Sequence, residues 1–173
     1  VLQKVDYATS IKSGDNSFSE MTPFPSLSLR YALNQKQNLR FATSMSYTLP
    51  QFKESAPFLF EGITDAVVGN PYLYPSKIYN GELKWELFPG GTELISVAAY
   101  GKLIQDPINR FVMASASNDF SYANSGDWAY VYGAELEIRK NLFEMEANGG
   151  SRRLSAGVNA SAMKTWQKLD REK

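Results

Sequence analysis

The segment YNGELKWEL, from Tyr79 to Leu87, alternates between apolar and polar side chains. Its apolar positions are Tyr79, Leu83, Trp85 and Leu87, and its polar positions are Asn80, Glu82, Lys84 and Glu86. Successive side chains of a β-strand point to opposite faces, whereas a helix would distribute these charges and rings around its axis. The segment therefore predicts a strand with one apolar face and one charged face.

Six further segments alternate in the same way, and no stretch has a comparable helical period. They cover residues 4–12, 26–33, 39–48, 92–104, 132–139 and 154–161. We therefore predict an all-β chain, folded as an antiparallel up-and-down meander of about seven strands.

The connections between these segments alternate between long and short. Their lengths are about 12 residues at 13–24, 4 at 34–37, 27 at 49–76, 3 at 89–91, 23 at 105–127 and 8 at 143–150. Successive connections of a meander lie at opposite ends of the sheet, and outer-membrane β-barrels have short turns at one end and long loops at the other. The pattern favours a segment of a large transmembrane β-barrel.

The charged face of the meander indicates where water lies. We predict that its charges face the barrel lumen, because a cation at the lipid midplane costs about 2–4 kcal/mol. These predicted lumen-facing residues are Arg30, Arg40, Glu82, Lys84, Glu86, Glu135, Glu137 and Arg139. A soluble antiparallel sheet with one face in water gives the same alternation. A soluble β-sandwich that binds carbohydrate or mediates adhesion is therefore the alternative.

The composition excludes several classes of chemistry. The 173 residues include no Cys and no His, the residues that most often hold metals or act as nucleophile and base. The 18 Lys and Arg residues balance 18 Asp and Glu residues, which leaves no basic surface for nucleic acid. The paired glutamates of the charged face have Lys84 or Arg139 nearby, as in a ladder of ion pairs rather than a glycosidase site. We predict no catalytic residue, no metal site and no cofactor, and therefore no enzyme.

The two longest loops, 49–76 and 105–127, are the best candidates for ligand binding, because binding residues gather on loops held by a rigid sheet. The predicted substrate-binding aromatics are Phe58, Phe60, Tyr72, Tyr74, Phe120, Tyr122 and Trp128. Their rings are suited to stack on a small molecule or an oligosaccharide. The polar residues expected to bind its edges are Asn70, Asn118, Asp119, Asn124 and Asp127. The alternative is that the aromatics only pack the loops together.

Particular phrases of the sequence resemble a known family. The phrase GNPYLYPSKIYNGELKWELFPGGTELISVAAYGKLIQDPI, residues 69–108, resembles the late barrel region of TonB-dependent outer-membrane receptors. The phrase NLRFATSMSYTLPQFKESAPF at 38–58 resembles the strand before it, and VYGAELEIRKNL at 131–142 the strand after it. One departure is Leu49-Pro50, where members of the family commonly have an Arg-Pro pair.

The resemblance implies that residues 1–173 are a C-terminal part of such a receptor's barrel. We find neither a plug domain nor a closing strand in the sequence, and expect a piece of a longer polypeptide. The implied function is energised uptake of a scarce nutrient, such as an iron chelate, cobalamin or an oligosaccharide, across the bacterial outer membrane. The implied partners are outer-membrane lipid, the remainder of the barrel and its plug, and a TonB-type energising protein that engages the plug.

Overall fold

The fold consists almost entirely of antiparallel strands in a computed structural model that describes residues 2–9, 16–63, 65–114, 119–147 and 150–168. The elements are β1 (Leu2–Thr9), β2 (Asn16–Pro23), β3 (Ser26–Asn34), β4 (Gln37–Thr48), α1 (Phe52–Ser55), β5 (Leu59–Glu61), β6 (Ala66–Val68), β7 (Ser76–Leu87), β8 (Leu94–Gln105), β9 (Ile108–Val112), β10 (Phe120–Asn124), β11 (Trp128–Ala147) and β12 (Gly150–Gln167). Within those ranges, no helix has the length and hydrophobicity needed to cross a bilayer.

Six strands form the main sheet, in the order β12-β11-β8-β7-β4-β3. Every neighbouring pair is antiparallel. The order of these six strands across the sheet is the same as their order along the chain. The predicted up-and-down meander is therefore confirmed.

The first predicted strand has a partner that the sequence analysis missed. Residues 4–12 overlap β1, which pairs along its whole length with β2 in a separate two-stranded sheet. Strand β2 lies where a connection at 13–24 was predicted, and that prediction was wrong. Its sequence, NSFSEMTP, is rich in polar and turn-forming residues, so the period-2 signal is weak and backbone pairing with β1 decides its conformation.

The alternation of long and short connections is confirmed in the main sheet, but the connection predicted at 143–150 was too long, because β11 extends to Ala147 and β12 begins at Gly150. Residues 35–36 join β3 to β4, and residues 88–93 join β7 to β8. Residues 49–75 join β4 to β7, and residues 106–127 join β8 to β11. Both long connections lie at the same end of the sheet, and they contain α1 and the short strands β5, β6, β9 and β10.

The pairing register sorts the main sheet into two faces, because directly opposed residues in adjacent strands point the same way. One row across the sheet is Leu29, Phe41, Leu83, Ala99, Ala134 and Ala162. The neighbouring row, on the other side, is Arg30, Arg40, Lys84, Ala98, Glu135 and Ser161. We call the first side the apolar face and the second the polar face.

No second layer covers the apolar face in the described part of the chain. Leu29 is 54% exposed, Tyr31 68% and Val158 67%. A sandwich would bury such side chains between two sheets about 10 Å apart. The soluble-sandwich alternative therefore lacks the second sheet that it requires.

Tyr100 and Gly133 oppose each other on the polar face. A Cβ added to Gly133 would lie 2.5 Å from the Tyr100 hydroxyl and 2.6 Å from the carbonyl oxygen of Ala162. The tyrosine ring thus covers the backbone of the neighbouring strand, which only glycine permits. Gly101 is a matched contrast on the apolar face, since a Cβ there meets nothing within 4 Å.

We predict that Gly133→Ala destabilises the sheet by about 1–3 kcal/mol, because the added methyl overpacks a backbone contact. The thermal midpoint, followed by the circular dichroism of the β-sheet, should fall. Gly101→Ala should change stability by no more than about 0.5 kcal/mol. Equal midpoints for the two variants would contradict the proposed packing of Tyr100 on Gly133.

Candidate functional site

The two long connections of the main sheet pair with each other. Strand β6 of the first connection pairs in parallel with β10 of the second, with Phe120 opposite Val67. Strand β5 joins β6, and β9 joins β10, both antiparallel. The result is a four-stranded sheet of order β5-β6-β10-β9, which we call the loop sheet. The loops that join four different strands of the main sheet are thereby one unit.

Asn124 holds this unit together through its side chain. Its Oδ1 accepts from the Tyr74 amide at 3.1 Å, and its Nδ2 donates to the Tyr74 carbonyl at 2.9 Å. The same Nδ2 also donates to the Asp106 carbonyl at 2.9 Å. Asn124 therefore mimics a strand partner for the end of the first loop, and its amide is not free for a ligand.

Two further side chains of the loops bond the backbone of the opposite loop. Asn70 Nδ2 donates to the Tyr122 carbonyl at 2.9 Å, and Ser121 Oγ donates to the Val68 carbonyl at 2.9 Å. Asn70 and Asn124 therefore have a structural role in the loops, and their role at the edges of a ligand stays a prediction. Asn118, named with them, lies outside the described residues.

Phe60 and Phe120 lie on the same face of the loop sheet, because both are opposite Val67. A cation covers each ring. Lys53 Nζ lies 5.7 Å from the centroid of Phe60, and Arg110 Cζ lies 3.7 Å from that of Phe120. Arg110 also forms an ion pair with Asp65 of the first loop. Each of these rings is thus covered by a cation of its own loop, and the ion pair of Arg110 with Asp65 joins the two loops.

The other predicted aromatics are placed differently. Phe58 is 47%, Tyr72 71% and Tyr74 49% exposed, whereas Tyr122 is half-buried. Trp128 directly follows the second loop as the first residue of β11, and it lies opposite Gln105 on the apolar face of the main sheet. Its role in ligand binding stays a prediction.

The exposed ring of Tyr74 lies in an acidic environment. Burial of part of its surface raises the pKa of the Tyr74 phenol above its ordinary value of 10.0, and the carboxylates of Asp106 and Asp127 raise the pKa further. The phenol therefore stays protonated at neutral pH, as a hydrogen-bond donor at the surface of the loops.

All eight predicted lumen-facing charges share the polar face. Arg30, Arg40 and Lys84 are directly opposite one another across three strands. The register places the rest on the same side: Glu82, Glu86, Glu135, Glu137 and Arg139.

Ion pairs offset part of the repulsion among these charges. Arg40 Nε lies 2.8 Å from Glu86 Oε2, whose side chain is 8% exposed. Arg139 Nη2 lies 2.9 Å from Glu137 Oε1. Of these two ion pairs, Arg40–Glu86 joins neighbouring strands and Arg139–Glu137 lies within β11, so the expected ladder of cross-strand pairs is present only in part. The described residues contain no cluster of acidic side chains suited to a metal ion.

The apolar face carries a band that runs obliquely across the strands. On β7 the band runs from Tyr79 to Leu87, and on β12 it runs from Ala162 to Leu154. At the long-loop end, the pairing register places Tyr79 of β7 level with Trp166 of β12. The band on β12 begins at Ala162 instead, so its edge is shifted there by four residues. At the short-turn end, the register places Leu87 of β7 level with Val158 of β12. The band on β12 ends at Leu154, which is again a shift of four residues. Both edges of the band thus shift by the same amount over three strands.

A model of the protein family described as TonB dependent receptor-like, beta-barrel, matches residues 3–169. The siderophore receptor PirA from Pseudomonas aeruginosa is a similar solved structure, with a TM-score of 0.68 and 20% sequence identity. The match covers 87% of this chain and 27% of that receptor, so the chain spans about a quarter of its length. At this identity the likeness concerns the fold. A comparison with curated proteins gives no match.

We predict that Asn124→Ala weakens the contact between the two loops at Tyr74. The variant loses three hydrogen bonds, each of which contributes about 1 kcal/mol, and the backbone amide of Tyr74 should exchange hydrogen faster. Asn109→Ala is the matched control, because Asn109 Nδ2 donates only to Pro107 and Ser125 of its own loop. Unchanged exchange at Tyr74 in Asn124→Ala would contradict the role of this side chain.

Proposed function

Because the chain belongs to the TonB-dependent receptor-like β-barrel family, we propose that it forms part of the barrel wall and ligand-facing loops of an outer-membrane receptor that takes up a scarce nutrient. The observation that supports this most is the division of the main sheet into two unlike faces. A family match over residues 3–169 and a shared fold with a siderophore receptor support the same proposal.

The apolar face is the surface that meets lipid. Soluble monomers rarely expose a contiguous apolar patch of more than a few hundred Å², yet an exposed band crosses the sheet from β3 to β12. Hydrocarbon chains of a bilayer remove such a surface from water without a second sheet.

The polar face lines the lumen in this proposal. Its row of Arg30, Arg40 and Lys84 is tolerated in a polar interior and would cost about 2–4 kcal/mol per cation at the lipid midplane. The plug of the same receptor is the partner that fills the lumen. A TonB-type energising protein acts on the barrel only through that plug.

The loop sheet is the ligand-facing element, because long loops of such barrels lie on the outer side of the membrane. The exposed rings that flank the loop sheet in the first loop, Phe58, Tyr72 and Tyr74, are available for stacking, whereas a cation covers each of the rings of Phe60 and Phe120. Iron chelates, cobalamin and oligosaccharides are the candidate nutrients. PirA is a siderophore receptor, so ferric siderophores are the first ligands to test.

The two faces are tested by labelling Leu83 and Lys84, which are adjacent and point in opposite directions. The chain contains no cysteine, so single substitutions Leu83→Cys and Lys84→Cys in the full-length receptor accept a nitroxide label at one defined position of this region. In lipid vesicles, oxygen dissolved in the bilayer should increase the relaxation rate of the nitroxide at position 83. A water-soluble nickel chelate should increase the relaxation rate of the nitroxide at position 84. Equal access of the nickel chelate to both labels would contradict the barrel wall.

The ligand-facing role is tested by Tyr72→Ala, which removes the most exposed of these rings. Loss of one stacking contact of about 1 kcal/mol should weaken binding of the transported ligand by about five-fold. Tyr132→Ala, on the apolar face of β11, is the matched control and should bind normally. Ferric siderophores, cobalamin and oligosaccharides form the panel. An equal loss of affinity in both variants would count against the loop sheet as the binding element.

A further inference from the structure

Among the residues whose side chains are described, the apolar face of the main sheet carries charges of one sign only. The four charged residues described there are all cations: Lys77, Lys140, Arg152 and Lys164. Where side chains are described, the carboxylates of the main sheet lie on the polar face: Glu82, Glu86, Glu135, Glu137 and Glu144. The chain as a whole has equal numbers of acidic and basic residues, so composition does not explain this segregation.

These cations lie at the edges of the apolar band rather than within its centre. Lys77 adjoins Tyr79 at the long-loop end of the band on β7. On β12, Lys164 adjoins Ala162 at the same end, and Arg152 adjoins Leu154 at the short-turn end. Lys140 of β11 lies opposite Ala156, which is two residues from Leu154 toward the centre of the band on β12.

The spacing of the edge cations on β12 fits the thickness of a membrane. Lys164 and Arg152 are separated by twelve positions of one continuous strand. At about 3.3 Å per residue and a tilt of about 40°, their Cα atoms are about 30 Å apart along the membrane normal. The apolar band of such barrels is about 25 Å tall. Each cation thus extends a few ångströms beyond the hydrocarbon, to the depth of lipid headgroups.

No carboxylate in the described part of the chain lies within ion-pair distance of these cations, although Glu93 accepts from the backbone amide of Asn141, next to Lys140. The ion pairs of the main sheet are Arg40–Glu86, Arg139–Glu137 and Arg153–Glu144, all on the polar face. Aromatic rings surround Lys164 instead: Tyr132 is directly opposite, and Tyr130 and Trp166 pack with ring centroids 5.6 Å apart. Aromatic rings of this kind are typical of the membrane interface.

We propose that Lys77, Lys164, Lys140 and Arg152 bind phosphate groups of membrane-lipid headgroups, two cations at each edge of the band. This rests on the proposed function, since it requires the apolar face to meet lipid. A cation facing lipid without a protein carboxylate needs its counter-charge from the lipid. Phosphate lies at the required depth, and the flexible stems of Lys and Arg extend along apolar surface to reach it.

The experiment titrates the full-length receptor in detergent with phosphatidylglycerol and counts the bound lipids by native mass spectrometry. The phosphate-free probe is digalactosyl diacylglycerol with the same acyl chains. Phosphatidylglycerol should bind more tightly to the wild-type receptor. Lys164→Gln and Lys77→Gln should each weaken its binding by about five-fold, because one cation at an anionic lipid surface contributes about 1 kcal/mol.

Lys102→Gln is the matched control, because it removes the same charge from the polar face, where Lys102 is opposite Asn80 and Val131. Its phosphatidylglycerol binding should equal that of the wild type. Equal binding of the two lipids, or equal weakening by Lys102→Gln and Lys164→Gln, would overturn the proposal. Oxygen access to the label at position 83 is measured in every variant. If the receptor that carries Leu83→Cys as its only substitution lacks oxygen access to the label, the proposed barrel wall is wrong. If oxygen has access, the lipid-binding results test the phosphate sites alone.

Discussion

The pairing register of the antiparallel main sheet is the constraint on which the rest of the structure depends. Opposed residues share a face, so a shift of one residue in any strand would exchange its apolar and polar sides. The register holds Arg40 between Arg30 and Lys84, and Phe41 between Leu29 and Leu83, along neighbouring rows. The contrast between the two faces is therefore a property of the whole sheet.

The polar face shows what this register costs and how the cost is offset. Three cations in directly opposed positions repel one another. Glu86 lies one alternate position along β7 from Lys84, and it reaches diagonally to Arg40 while almost completely buried. Because the opposed positions are fixed by backbone hydrogen bonds, the compensation comes from diagonal neighbours. The same arrangement leaves Glu135 separated from Lys84 by the small Ala98.

The sequence predicted the main sheet well because its signal is local. The alternation in Tyr79–Leu87 and the lengths of the connections can be read without tertiary information, and the strands, the order and all eight polar-face charges followed from them. The loop sheet could not be predicted in this way. The pairing of Val67 with Phe120 joins residues far apart in sequence, and the two hydrogen bonds between Asn124 and Tyr74 exist only after the loops meet. Phe60 and Phe120 were indistinguishable from exposed rings until Lys53 and Arg110 were placed above them.

The oblique course of the apolar band has a geometrical consequence. A shift of four residues over three strands is about 13 Å along the strands against about 14 Å across them, which corresponds to strands inclined by about 40° to the membrane normal. Strands inclined in this way trace a helical path around a cylinder, and their stagger accumulates until the sheet returns to its first strand. The stagger that each strand adds to the complete cylinder is thus encoded locally, in the slope at which apolar side chains give way to lysines from one strand to the next.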